Sequence, residues 1–259
     1  MRQSPPDLAR HRRELAWEGC LNVRDLGGHP TQDGGETGYG RIVRADSVRQ
    51  LTDVGWKAVA DYGIRTVIDL RGDDELRDDP PGELPLDVVH APFMEADEDE
   101  WKAIEKKIEA AVAAARDDAT ETRDVYMIFL ERFRQNAAAG VRAVARAPGG
   151  GVLVHCVGGK DRTGLLSAFL LHLAGVGIEE IAADYALSEE RLRPRHEAWL
   201  AKAETEAERE QLRRIIRTPA EAMVGVFAEL ERRYGGVTAF LRSGGLSDED
   251  LALAAGRLA

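Results

Sequence analysis

Ten residues, HCVGGKDRTG (His155–Gly164), lie between two apolar segments that both demand burial. Val152–Val154 is a short apolar, β-branched run of the kind that forms a strand covered on both faces. Leu165–Ala174 is apolar nearly all round, which a helix tolerates only inside a core. Strand, loop and buried helix in that order commit this part of the chain to an α/β layer. The alternation recurs upstream. Leu51–Tyr62 has helical spacing with Thr52 as its cap, Gly63 then introduces a strand over Thr66–Leu70, and Val88–Phe93 predicts another. Trp101, Ile104, Ile108 and Val112 recur at helical spacing beneath a charged face, which reads as a solvated amphipathic helix.

A further helix is expected from near Glu121 to Arg146, with Val125, Ile128, Phe129 and Phe133 on one side and a stop at Pro148–Gly151. The glycine-dense Gly27–Gly40 reads as a hairpin or loop. Everything after Gly177 reads as helical, with breaks at Gly235-Gly236 and Gly244-Gly245. The expected architecture is one α/β domain over residues 1–259. It has a core at about 15–187, with a central, mostly parallel sheet flanked by helices, and a C-terminal helical annex or lid at about 188–259.

Composition narrows the function. With 35 basic and 46 acidic residues the net charge is −11 and no basic block occurs, so nucleic acid is not an expected partner. No apolar stretch is long enough to cross a bilayer, and the first twenty residues lack the apolar core of a secretory signal. A cytoplasmic protein without integral membrane association is expected, with export by a signal-independent route left open. Two cysteines, Cys20 and Cys156, make neither a disulfide framework nor a zinc spacing. No cofactor and no metal are expected, and the oligomeric state is not legible.

The loop between strand and helix carries the chemistry. A cysteine at the end of a buried strand, Gly158 and Gly159 in a tight loop, and a helix opening at Thr163 would aim several backbone N–H groups at one point. The helix dipole and Arg162 would stabilise a nucleophilic thiolate at Cys156. Arg162 can grip two phosphoryl oxygens in bidentate fashion, which a lysine cannot imitate.

At these residues the sequence resembles the cysteine-dependent protein tyrosine phosphatase superfamily, whose His-Cys-x5-Arg-Ser/Thr pattern is matched at His155, Cys156, Arg162 and Thr163. It is more similar still to a bacterial branch of atypical tyrosine and phosphoinositide phosphatases with the loop HCxxGKDRTG. Asn22–Gly28 resembles that branch's N-F-R-D-L-G-G element, with Val23 in place of phenylalanine. Asp69, Leu70, Arg71 and Glu75 match D-L-R-x-x-x-E, and Ala183–Glu190 resembles its D-Y-x-x-S segment.

The resemblance implies a phosphatase-like sheet and a nucleophile at Cys156. Phosphate would be bound by Cys156, Val157, Gly158, Gly159, Lys160, Asp161 and Arg162, with His155 orienting the loop and Thr163 bonding near the sulfur. Asp161 is the favoured general acid, and Asp69 serves either as acid or as holder of an arginine. Lys160 adds a second cation, as in phosphoinositide phosphatases. Arg24, Asp25, Arg71 and Glu75 would buttress the loop, and Leu187–Arg217 is either a lid or a packed annex. Phosphotyrosine proteins or phosphoinositides are the implied substrates, with phosphoserine and phosphothreonine next. The competing readings are a catalytically silent phosphate-binding module and a rhodanese-like or arsenate-reducing cysteine enzyme.

Overall fold

The computed structural model describes residues 13–79 and 86–259. Its strands are β1 (Arg24–Asp25), β2 (Ile42–Ala45), β3 (Ile64–Asp69), β4 (Asp87–His90) and β5 (Gly151–His155). They form one sheet in the order β1-β2-β5-β3-β4, antiparallel between β1 and β2 and parallel elsewhere. The helices up to β5 are α1 (Asp53–Asp61), α2 (Asp73–Asp78), α3 (Glu98–Ala114), α4 (Asp118–Arg132) and α5 (Arg134–Ala145). After β5 come α6 (Arg162–Leu173), α7 (Ile178–Arg191), α8 (Arg193–Lys202), α9 (Glu206–Ile216), α10 (Ala220–Tyr234), α11 (Val237–Ser243) and α12 (Asp248–Gly256).

The pleat sends successive side chains to opposite faces and so builds two cores. Ile42, Ile68, Val152 and Val154 enter the larger one, whereas Val43, Ala45, Val67 and Leu153 enter a smaller one with Trp17 and Val59 of α1. Helix α6 runs through the larger core with every residue from Thr163 to Leu171 buried, as its all-round apolarity requires. The register of β5 aligns His155 with Ala45 on one side and Asp69 on the other. Those three residues mark the carboxyl edge of the parallel strands, where open α/β sheets take their ligands.

Four expectations shift. The single helix over Glu121–Arg146 is two, parted at Phe133, whose fully buried ring sits at a non-helical φ of −104° and ψ of 29°. Strand β4 ends at His90, and the buried Phe93 lies beyond it. Helix α6 opens at Arg162 and not at Thr163. Finally, the division at 187/188 falls inside α7, and most of the annex belongs to the core. Met223, Val226 and Leu230 of α10, Phe240 and Leu241 of α11, and Leu251 and Ala254 of α12 all join the larger cluster. Between them and α7, α8 buries only His196 and α9 buries nothing. No helix among the described residues is long and apolar enough to cross a membrane.

Candidate active site

The segment from Cys156 to Asp161 is shaped from behind. Ser47 N–H donates to the Val157 carbonyl at 2.9 Å. Asn22 Nδ2 donates to Gly158 and Gly159 carbonyls at 3.1 and 3.0 Å, and Arg44 Nη2 reaches the Gly159 carbonyl at 2.7 Å. A trans peptide sets its N–H opposite its C=O, so outward carbonyls at 157–159 turn the N–H groups of Gly158, Gly159 and Lys160 to the other side. Gly159, at φ +62°, also permits a close approach to β2: a Cβ there would lie 2.3 Å from the Ala45 carbonyl oxygen.

Cys156 is a buried free thiol at 3% exposure. Arg162, the first residue of α6, is held by Glu75 in bidentate fashion, with Nη2 to Oε1 at 2.8 Å and Nη1 on Oε2. Burial disfavours the guanidinium charge, yet the facing Cys156 and Glu75 push its pKa up. His155 Nδ1 lies 3.0 Å from the Cys156 carbonyl, which can only accept, so Nδ1 carries the ring proton. Burial pulls the His155 pKa down against the opposing pull of Asp69, 3.6 Å from Nε2. The Thr163 hydroxyl is fully buried with no hydrogen-bond partner.

The two carboxylates weighed as acids sit in opposite surroundings. Asp69 is 3% exposed, and both its oxygens receive Arg71 at 2.8–3.1 Å. Burial alone would raise its pKa, but Arg71 and His155 reverse this and hold it below the usual carboxylate range. Asp69 therefore holds an arginine with both its oxygens. Asp161 is half exposed and accepts the Tyr126 hydroxyl at 2.5 Å, with Lys160 Nζ at 3.4 Å. Lys160 also donates to the Ile215 carbonyl at the end of α9.

A cavity of about 910 Å³ opens over Lys160, Asp161 and Arg162. Its apolar wall includes Trp101, Ile108 and Val112 of α3 with Val125 and Phe129 of α4. This corrects the reading of α3 as a merely solvated helix: Ile104 is its only buried residue, and the rest of the stripe faces the cavity.

The buttressing residues sort differently from expectation. Arg24 and Asp25 do not pair with each other. Asp25 accepts from Gly27 and Gly40 N–H, each at 2.7 Å, and from the Tyr62 hydroxyl, so it ties the glycine-rich hairpin and not the loop. Arg24 bonds Asn22 Oδ1 at 2.7 Å and Asp184 at 2.8 Å, and Arg44 meets the same Asp184 at 2.7 Å. Two buried guanidiniums thus face one carboxylate, leaving a net positive charge behind the loop. Burial, with Arg44 beside it, lowers the Arg24 pKa to about 9, while the two arginines drive Asp184 far below the carboxylate range against its own burial. Asp184 and Ser188 come from the D-Y-x-x-S segment, whose role the sequence did not reveal. Arg44 lies in β2, for which no strand is expected from the sequence, and neither it nor Tyr126 carried a signal. Among the described residues no group of three or more His, Cys, Asp or Glu is placed to hold a metal.

Comparison with known proteins agrees with this geometry. A family model described as the tyrosine phosphatase family matches residues 15–258. The chain is 28% identical over 260 residues to the triple specificity protein phosphatase PtpB of Mycobacterium tuberculosis, covering 88% of this chain and 93% of that protein. It is also 28% identical over 222 residues to a tyrosine-protein phosphatase of Nostoc commune, covering 81% and 71% respectively. With a matched span that takes in the loop, both sides of the sheet and the helices packed on it, the chain belongs to the tyrosine phosphatase family.

Proposed function

We propose that the protein hydrolyses phosphomonoesters through a phosphocysteine, with Cys156 as nucleophile, Arg162 and the loop N–H groups as the cradle for the equatorial oxygens, and Asp161 as general acid and then base. The Cys156 sulfur attacks phosphorus in line with the ester oxygen. The P–O bond breaks as Asp161 gives that oxygen its proton. Water then attacks the phosphocysteine, returns a proton to Asp161 and releases phosphate and thiolate. His155 fixes the carbonyl next to the nucleophile, and the unpartnered Thr163 hydroxyl is free to donate to the sulfur. The observation that carries the reading is the loop whose Val157, Gly158 and Gly159 carbonyls are held from outside, followed at the first residue of α6 by Arg162 in the bidentate grip of Glu75.

Phosphotyrosine is the first substrate, because the apolar wall of the cavity suits an aryl ester. Phosphoinositides come second, with Lys160 as the extra cation, and phosphoserine or phosphothreonine third. Helices α8 and α9 act as a lid: they bury almost nothing, and they are tied down by Arg195 on Asp46 and by the Lys160 contact to Ile215. The test is turnover of a phosphotyrosine peptide and a phosphoinositide panel by wild type and Cys156→Ser, with EDTA and fresh reductant present. Cysteine-dependent release supports the reading, and binding without release by the wild type would make the protein a silent phosphate-binding module.

A further inference from the structure

We infer that Tyr126 is a positioning residue for Asp161, one that selects which carboxyl oxygen delivers the proton; the inference rests on the acid assignment above. Asp161 occupies the N-cap position of α6, yet its side chain makes no capping hydrogen bond. Its Oδ1 instead accepts the Tyr126 hydroxyl at 2.5 Å and lies 3.4 Å from Lys160 Nζ. With Oδ1 engaged twice, the transferable proton belongs on Oδ2.

The tyrosine is itself held. A phenol has one hydrogen to donate, and that of Tyr126 goes to Asp161, so Tyr185, 2.8 Å away, is the donor to Tyr126. The chain of hydrogen bonds runs Tyr185 to Tyr126 to Asp161. Both rings are buried, at 3% and 1% exposure, and meet edge to face with centroids 6.1 Å apart. Burial first, and Asp161 second, pushes both phenol pKa values up, which keeps them neutral donors. Tyr126 comes from α4 and Tyr185 from α7, and Tyr185 packs on Gly164 of α6, where a Cβ would be 3.1 Å from its ring. Three helices therefore converge on one carboxyl oxygen.

The experiment compares kcat/KM for phenyl phosphate, a poor leaving group that needs its proton, with that for 2,4-dinitrophenyl phosphate, which does not. Asp161→Asn is expected to cost about 100-fold on the first ester and far less on the second. Tyr126→Phe keeps the ring and loses only the donor, and about 10-fold is expected on phenyl phosphate against no more than about twofold on the dinitrophenyl ester. Tyr185→Phe should give the same pattern more weakly. In the Asp161→Asn background Tyr126→Phe should cost at most about twofold on either ester, because the group it acts through is gone. Equal losses on both esters for Tyr126→Phe, with Asp161→Asn still dependent on the leaving group, overturn the inference and leave the acid assignment standing. A loss independent of leaving group for Asp161→Asn itself overturns both.

Discussion

Gly158 and Gly159 are adjacent in sequence and opposite in what they tolerate. An alanine at 159 meets two obstacles. Its φ of +62° costs an L side chain about 1–2 kcal/mol, and its Cβ would lie 2.3 Å from the Ala45 oxygen, 2.5 Å from the Ala45 carbon and 2.6 Å from Asp46 N. An ordinary contact needs about 3.5 Å, so loop and strand must part by roughly 1 Å. Ala45 cannot yield alone, because it is in register with His155 of β5. The loop moves instead, and a displacement of about 1 Å in a catalytic constellation costs about 100-fold in rate. At 158 the φ is not positive, and the added Cβ meets only Lys160 Cβ at 3.9 Å. Gly159→Ala should therefore lower kcat/KM for an aryl phosphate about 100-fold and the Tm by roughly 3–8 °C. Gly158→Ala should stay within about threefold and 2 °C. Steady-state kinetics, vanadate inhibition and thermal melts on both variants make the comparison. Equal losses at the two positions would refute the placement of the loop against β2.

Glu75→Gln should lower kcat/KM about 10- to 100-fold, with KM rising, because Arg162 loses its charged bidentate partner; steady-state kinetics and calorimetric phosphate titration measure it. Asp184→Asn should destabilise the fold by about 3–5 kcal/mol at pH 7, since it leaves Arg24 and Arg44 buried without a counter-charge. The folded-state pKa of Asp184 is depressed, so its contribution is complete above the unfolded value of about 3.9 and fades as pH falls below it. The wild-type advantage in denaturant melts should accordingly shrink below about pH 4. Ile108→Asp on the cavity face of α3 should raise KM for a phosphotyrosine peptide about 10-fold while leaving the Tm within about 2 °C, because Ile108 is not a core residue.

The parts of the molecule legible in the sequence are those where one local rule acts. The apolar run before Cys156 and the all-round apolar helix after it fix β5, α6 and the loop between them, since nothing but burial accommodates them. Thr52 starts α1 with its side-chain cap, and Gly235 and Gly245 end helices with a positive φ, where their local chemistry says they should. What was not legible depends on long-range placement. The two loop glycines read alike in the sequence, and only the approach of Gly159 to Ala45 separates them. A stripe of Trp101, Ile108 and Val112 has the same spacing whether it faces a core or a cavity. Asp69 reads in the sequence equally as an acid or as holder of an arginine, and only the folded chain puts Arg71 on both its oxygens. Arg24 and Asp25 are neighbours in sequence, but their partners lie 160 residues away for one and in the hairpin for the other. Tyr126 meets Asp161 only because α4 and α6 converge.

The central claim is a covalent phosphocysteine at Cys156, and the most direct measurement is to trap it. Wild-type protein is mixed with an aryl phosphate, quenched in milliseconds, digested, and the peptide containing Cys156 is weighed by mass spectrometry. A phosphoryl adduct on Cys156 is expected, forming with the burst of released phenol and absent in Cys156→Ser, which still binds phosphate. Undiminished turnover by Cys156→Ser, or an adduct on another residue, would contradict it.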